Sequence, residues 1–376
     1  YGVENSSLAR HVRPLCHWWL RAFTRWDAAR FLRIAENGYD TEESYAFFPL
    51  LPLATAALAK AASALGCPEP AALAASGVAI TNICFLLSAW ALFRLSALKL
   101  RDPGMALRAV QVYCLTPANV FMSSVYTESP YAACTFGGLL LLERGSFLSA
   151  VAAFGCATAL RSNGLLNCGF ILYHGAARGL RGHRLCWASA AVAGSLLACL
   201  PYLAFQAYGF HRECHGTGAA PWCHARLPSI YAHVQATYWQ VGFLRYFQWR
   251  QAPNFLLAAP ALGISAWGVS SHLRHFLAEW RQWKADGKRR LGALLLQWWL
   301  LPHVVHWAAF VAFVFLCANV QIVTRALAAA CPAYHWFVAS ALSSPHGRVV
   351  KRLLWGYIVT WNVIGVAMHP NFLPWT

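Results

Sequence analysis

Long apolar runs separated by short polar breaks dominate this chain. They lie near 48–66, 71–93, 106–123, 126–142, 146–175, 185–208, 254–273, 292–317, 319–341 and 353–369. A spanning helix needs about 20 mostly apolar residues, so the pattern predicts about eight to ten spans. The runs are rich in Ala and Leu, which predicts helices and not a barrel. The expected fold is therefore an all-α polytopic membrane protein, one membrane-embedded domain over 1–376. Two runs are irregular. The run 146–175 holds Arg161-Ser162-Asn163-Gly164 and reads as two short helices meeting there. The run 48–66 carries Lys60, Pro49 and Pro52 and is the weakest span.

Composition strengthens this picture. Of 376 residues 59% are hydrophobic and only 11% charged, against about 25% charged in a soluble domain. Such a chain cannot cover itself with polar surface in water, which excludes a soluble globular enzyme. The 18 tryptophans suit many crossings of the headgroup zone. The net charge of +17 reads as positive loops on the cytoplasmic side plus attraction to anionic headgroups. A phosphate-bearing lipid substrate is a second reading. The basic residues sit in short loops and not on one face, so nucleic acid is not an expected partner.

Basic loops set the orientation. Arg178, Arg181 and Arg184 mark one cytoplasmic loop, residues 274–290 a second, and Arg348, Lys351 and Arg352 a third. The segment 209–253 and the tail 370–376 then face the other side. The first half conflicts with this scheme. Arg94, Lys99, Arg101 and Arg108 suggest a cytoplasmic loop two runs after 24–47, a segment whose chemistry belongs on the opposite side. Either one run fails to cross or the charge rule fails here. Most of the 13 cysteines, such as Cys84, Cys134, Cys156, Cys199 and Cys317, lie in apolar runs as small hydrophobes. Cys214 and Cys223 share a polar loop and can pair if it faces an oxidising compartment. No Cys/His spacing suits a metal.

The candidate chemistry begins with the acids. Asp27, Glu36, Asp40, Glu42 and Glu43 crowd into one stretch ahead of an apolar run. Residues 26–36 suit an amphipathic helix along the membrane surface, ended by Asn37-Gly38. Asp27, Arg30 and Ile34 share a flank. The bland reading is a solvated helix whose acids pair with Arg25, Arg30 and Arg33. The functional reading is a general base that takes a proton from an attacking hydroxyl. Asp27, beside Trp26, is best placed for it, and Trp26, Arg30, Glu36, Tyr39 and Glu43 are candidate substrate contacts.

Three further places carry polar chemistry. Asn119, Tyr126 and Glu128 lie between apolar runs, bounded by Pro117 and Pro130, and an ionisable group so deep is a functional candidate. Glu128 as a charge at a helix start is the alternative. Arg161 and Asn163 interrupt an apolar run. That arginine needs a partner, either a phosphate or an acid such as Glu128. Arg325, alone in 319–341, raises the same choice. The aromatic segment 209–253, with Trp239 in it and Asn254 just after it, is an interfacial belt or a lining for lipid and glycan. The segment 368–374 is a further polar interruption. No Walker loop or dinucleotide-binding fingerprint is present, so a transferase built this way takes its sugar from something other than a nucleotide sugar.

At these residues the sequence resembles the GPI mannosyltransferase 2 family, also called PIG-V. The shared pieces are W-D-x-x-x-F-L-x-I-A-x-x-G-Y at 26–39, A-F-F-P-x-x-P at 46–52, P-A-N-V-F at 117–121, Y-T-E-S at 126–129 and R-S-N-G at 161–164. They continue with P-W-C at 221–223, Y-W-Q-V-G-F-L-R-Y at 238–246, P-N-F-L-L-A-A-P at 253–260 and N-F-L-P-W-T at 371–376. The pieces fall in the family's order and cover nearly the whole chain. The resemblance implies a GT-C-type bundle in the endoplasmic-reticulum membrane with 24–47 and 209–253 lumenal. It implies transfer of mannose from dolichyl phosphate mannose to a mannosyl-GPI precursor in an α-1,6 link, with inversion. It maps the catalytic carboxylate of the first lumenal loop onto Asp27. That loop ordinarily follows a first transmembrane helix. Only 1–23 precede it here, interrupted by Arg10, Arg13 and Arg21, so that helix is expected to be missing.

On this reading no cofactor or metal is needed, because Arg161 with Arg325 neutralises the departing phosphate. The rivals are a lipid transporter, which predicts internal repeats that are not seen, a non-catalytic assembly subunit, and another dolichol-dependent transferase. A small membrane subunit is a further candidate partner. Asn5-Ser6-Ser7 is a glycosylation sequon.

Overall fold

The computed structural model describes residues 20–215, 220–285, 298–344 and 347–373. The sequon at Asn5, the arginines at 10 and 13, the expected gap ahead of 20, the basic residues 288–290, the start of the 292–317 run and residues 374–376 lie outside the described residues. Every regular element among the described residues is helical. Three helices are long and apolar enough to cross a membrane: Ala71–Leu100, Arg184–Glu213 and Trp249–Ala285. Shorter apolar helices accompany them. The protein is an all-helical, polytopic membrane protein.

The first helix, α1 (Asp27–Asn37), is the amphipathic one. Ala28, Phe31 and Leu32 repeat at helical spacing and are buried with Ile34. Gly38 ends the helix at φ 72° and its N–H donates to the Ile34 carbonyl at 2.8 Å. Next come α2 (Leu50–Ala64) and α3 (Glu69–Leu100). The 106–123 run is not one helix. It divides into α4 (Pro103–Cys114) and α5 (Val120–Ser123), because Pro117 cannot donate to a continuing ladder. Then follow α6 (Glu128–Glu143) and α7 (Phe147–Leu160). The break inside 146–175 is present. Arg161 is extended, a 3₁₀ turn covers Ser162–Asn167, and α8 (Cys168–Gly179) resumes.

The second half begins with α9 (Arg184–Glu213), which reaches into the segment expected to be loop. That segment also contains α10 (Ile230–Trp239), capped by the Ser229 hydroxyl. The long α11 (Ala252–Ala285) and the shorter α12 (Leu301–Cys317) follow. The 319–341 run, expected to be continuous, divides into α13 (Val323–Ala330) and α14 (Pro332–Ser343). The cause is Pro332, which forces Cys331 to φ −122°, ψ 94°. The last helix is α15 (Arg348–Met368).

Contacts sort the turns into two ends. At one end Lys99 pairs with Glu143 and lies over the Trp299 ring. Arg178 approaches Gly145 there. This end carries the basic loops. At the other end meet 23–47, 115–128, 161–167, 213–215, 220–251, 316–325 and 369–372. Their contacts include Val125 to Phe23, Tyr45 to Glu213, Leu244 to Leu316 and Ser124 to His369.

The course of α3 bears on the conflict over the first half. This helix passes the acidic end at Gly77–Asn82, where Asn82 donates to the Ser123 carbonyl at 3.0 Å and Gly77 faces Val125. The first turns of α3 therefore lie beyond that end, and α2, joined to them, stays on that side. With 15 residues it is about 22 Å long, short of the hydrocarbon thickness. By length alone the helix in the run 48–66 falls short of a full crossing.

Inter-helix packing is close and clipped by single polar bonds, as membrane bundles require. Trp307 donates to Ser265 at 3.1 Å, Trp336 to Ser96 at 2.7 Å and Asn167 to Thr135 at 3.1 Å. Gly164 sits where backbones nearly touch. A Cβ there would lie 2.5 Å from the Thr158 nitrogen and 2.6 Å from the Ala157 carbonyl carbon. Gly169 has open space. Gly164→Ala is expected to cost about 1–3 kcal/mol by overpacking, and Gly169→Ala much less. The thermal midpoints of both variants in detergent check this, and equal midpoints would remove the close-approach argument.

Candidate active site

The site is assembled from helix ends. Trp26 reverses the chain at φ 58°, so α1 begins at Asp27 with a carboxylate in its first turn, where the helix dipole favours it. The Asp27 N–H donates to the Tyr126 hydroxyl at 3.1 Å. The Tyr126 ring sits between Phe121 and His369, with centroids at 5.0 and 5.8 Å. The prolines that end α4 and begin α6 thus leave a polar turn aimed at α1.

Four charged side chains form an alternating relay. Arg325, in the first turn of α13, brings Nη2 to 3.4 Å from Asp27 Oδ2 and Nη1 to 3.4 Å from Glu128 Oε1. Arg161, in the extended break after α7, brings Nη1 to 2.7 Å from the same Glu128 oxygen and donates to the Thr127 hydroxyl at 3.2 Å. The Glu128 side chain is 0% exposed, Arg325 13%, Arg161 19% and Asp27 34%. Exposure assigns the roles that are open to each. Asp27 can meet a ligand directly, the arginines at their edges, and Glu128 only through the arginines. The Arg325 guanidinium also lies 4.8 Å from the Phe121 ring centre and 5.3 Å from that of Tyr126, which fixes its plane.

The remaining acids of the first stretch are otherwise engaged. Arg30 pairs with Glu43 at 2.8 Å and Arg33 with Asp40 at 2.8 Å. Glu42 accepts from the Tyr238 hydroxyl and meets His233 Nε2, both at 2.9 Å. That bond to the Glu42 carboxylate pushes the Tyr238 hydroxyl above its usual pKa. Glu36 is exposed. Asp27 alone of this cluster joins the relay.

Other sequence candidates lie around this centre or apart from it. Trp26 faces Phe372 at 5.8 Å. Trp239 lies under Arg30 at 5.7 Å and against Phe47 at 6.1 Å. Tyr39 donates to the Phe47 carbonyl at 2.8 Å and stacks on Tyr45. The Asn119 amide donates to the Cys114 carbonyl at 2.9 Å, closing the end of α4. The Asn163 carbonyl accepts from Tyr131 at 3.4 Å. Asn254 donates to the Tyr246 hydroxyl at 2.8 Å, away from the relay. Thr127, Phe121 and His369 were not among the sequence candidates for the site. The first two lie inside the shared pieces Y-T-E-S and P-A-N-V-F, and His369 lies in the 368–374 interruption. Cys214 and Cys223 form a disulfide. It closes the segment that presents His233 and Tyr238 to Glu42.

The fold and this centre define a class: an integral-membrane helical protein that gathers a carboxylate–guanidinium relay at one end of its helices. The family profile described as Mannosyltransferase (PIG-V) matches residues 4–376, and the chain belongs to that family. It is 33% identical to GPI alpha-1,6-mannosyltransferase 2 of Homo sapiens, covering 95% of this chain and 88% of that protein. The corresponding protein of Cricetulus griseus is 32% identical with the same coverage. GPI mannosyltransferase 2 of Drosophila melanogaster is 29% identical over 99% of this chain and 91% of that protein. No solved structure matches the chain.

Removing the buried acid takes from Arg161 its counter-charge and leaves Arg325 with Asp27 alone. Glu128→Ala is expected to cost about 3–5 kcal/mol, seen as a large fall in detergent thermal midpoint. Glu36→Gln should leave the midpoint unchanged. A Glu128→Ala protein as stable as wild type would show that the relay is not structural.

Proposed function

We propose that this chain transfers the second mannose, α-1,6-linked, from dolichyl phosphate mannose to the GPI-anchor precursor. The observation that carries the reading is the meeting of Asp27, Glu128, Arg161 and Arg325 at one point of a chain matched to the family over 4–376. Contacts across 298 residues join Asp27 to Arg325. The site is a GT-C-type centre within about eight to ten spans, in the endoplasmic-reticulum membrane.

The acidic end is the lumenal one. The Cys214–Cys223 disulfide belongs in an oxidising compartment, and the Glu42 contacts place 24–47 on the same side as that bond. The basic end is then cytoplasmic, in accord with the positive-inside rule.

In the reaction, Asp27 accepts the proton of the 6-hydroxyl on the acceptor mannose. That oxygen attacks the donor's anomeric carbon from the face opposite the phosphate. The carbon–oxygen bond to phosphate breaks and its electron pair leaves with dolichyl phosphate. A β-linked donor thereby gives an α product by one inversion. Arg161 and Arg325 meet the charge that develops on the leaving phosphate, and Glu128 holds both in place. Trp26, beside the base, offers a ring face to a hexose, while Arg30, Tyr39, Glu43 and Trp239 build the neighbouring wall.

Two measurements test this. In cells lacking GPI mannosyltransferase 2, expression of the chain should restore surface GPI-anchored protein. Asp27→Ala should lose that rescue while reaching the membrane in normal amount. Rescue by Asp27→Ala would sink the assignment of the base. For orientation, a glycosylation sequon inserted between Ala225 and Pro228 should be glycosylated, and one between Gly179 and Gly182 should not. Endoglycosidase mobility shifts read both, and the reverse pattern would invert the topology.

A further inference from the structure

The two arginines of the relay are held differently. Arg161 meets Glu128 as a close ion pair at 2.7 Å, while neither Glu128 oxygen makes a well-directed hydrogen bond. Arg325 meets both of its acids at 3.4 Å, a longer contact. Its Nε is buried and makes no hydrogen bond. Its plane rests on the Phe121 and Tyr126 rings, so it can slide between acceptors without losing its support. A guanidinium has five N–H donors, and in Arg325 most of that capacity is unused in a place that excludes most water.

We propose that Arg325 is a shared counter-ion that couples proton abstraction to departure of the phosphate. It rests on the Asp27 carboxylate before reaction and passes to the phosphate as that carboxylate is neutralised. The proposal rests on the reading of Asp27 as base and of a lipid phosphate as leaving group.

The charge balance supports it. Before reaction the relay alternates acid, base, acid, base and sums to zero. The donor phosphodiester brings one negative charge. When the bond to the sugar breaks, the electron pair adds a second charge to the phosphate, whose monoester carries about −2 when fully ionised. The proton released by the hydroxyl goes to Asp27 and removes one negative charge from the relay. The gain on phosphate and the loss on Asp27 are equal, and the residue that touches Asp27 is the one with spare donors. Arg161 cannot make this exchange, because its partner Glu128 takes no proton in the reaction. Arg325 is thus a positioning residue toward the base and a ligand toward the phosphate. The arrangement makes strong phosphate binding conditional on proton transfer.

The test uses binding, which needs no turnover. Asp27→Asn mimics the protonated base in size and charge. Dolichyl phosphate affinity would be measured on the purified full chain in detergent, by tryptophan fluorescence, for wild type, Asp27→Asn, Arg325→Gln and the double variant. Asp27→Asn should bind about tenfold tighter than wild type, one charge-assisted hydrogen bond's worth. Arg325→Gln should bind more weakly, and adding Asp27→Asn to it should give no gain. Arg161→Gln should weaken binding yet keep the Asp27→Asn gain. Where Arg325→Gln does not fold, Arg325→Lys serves, since a single ammonium cannot span both acids, and the gain should shrink. An equal gain without Arg325 would mean simple repulsion between Asp27 and phosphate and would overturn the coupling. So would the absence of any gain in Asp27→Asn. Failure of the wild-type protein to bind dolichyl phosphate at all would instead overturn the donor assignment, and the coupling with it.

Discussion

A carboxylate with no exposed surface must be matched by positive charge or give up its own. Glu128 is such a group, and the relay follows from that requirement. Losing its hydration costs several kcal/mol even after relaxation, and the two arginines must be brought to it from distant parts of the chain. Each arrives by a break in a helix. Arg161 is carried by the extended residue between α7 and the 3₁₀ turn, and Arg325 stands in the first turn of the short α13. Unbroken spans at these places would bury the same side chains in lipid. The breaks look like defects in a bundle taken helix by helix. They are the means by which a charge cluster can exist at its end.

The periphery of the site obeys a similar logic. Ion pairs between exposed groups contribute little to stability, of the order of 0–1 kcal/mol. Arg30–Glu43 and Arg33–Asp40 are of this kind. Their effect is to occupy acids that lie near Asp27 in sequence but do not join the relay. The larger structural contribution comes from rings. Tyr45 and Phe48 pack with Phe205, Trp222, Ile230 and Val234, which ties α10 to the turn after α1. Burial and a bond to Glu213 push the Tyr45 hydroxyl well above its usual pKa, so it remains a neutral donor. The disulfide then fixes the segment that carries α10.

Some of this was legible in the sequence because it is local. The amphipathic repeat of α1, its Asn37-Gly38 ending and the break at Arg161 each depend on a few adjacent residues, and each is where the pattern places it. The fate of Arg325 was not legible from spacing. Its run reads as one span, and only Pro332 hints that α13 and α14 are separate. Nor could hydropathy show where α2 lies relative to the acidic end, since that depends on where α3 passes Val125 and Ser123. The pairing of Arg161 with Glu128 stood beside phosphate as an alternative. The two cease to compete once Arg161 is seen to keep a partly exposed edge while holding the acid.

That last point bears on why the relay is asymmetric. A base clamped by a close guanidinium is a poor base, because the pair stabilises the carboxylate against protonation. A leaving phosphate without a cation is a poor leaving group. One arginine cannot satisfy both demands at full strength at the same moment. A long hydrogen bond to Asp27 at 3.4 Å and an equally long ion pair to Glu128 leave Arg325 near both and held tightly by neither. Arg161, bound at 2.7 Å, carries the compensation of Glu128 meanwhile. Had the distances been exchanged, the buried acid would be the weakly held group and the proposed base the tightly held one. The observed order leaves slack beside the group proposed to take a proton and places the close ion pair at the acid to which no proton transfer is assigned.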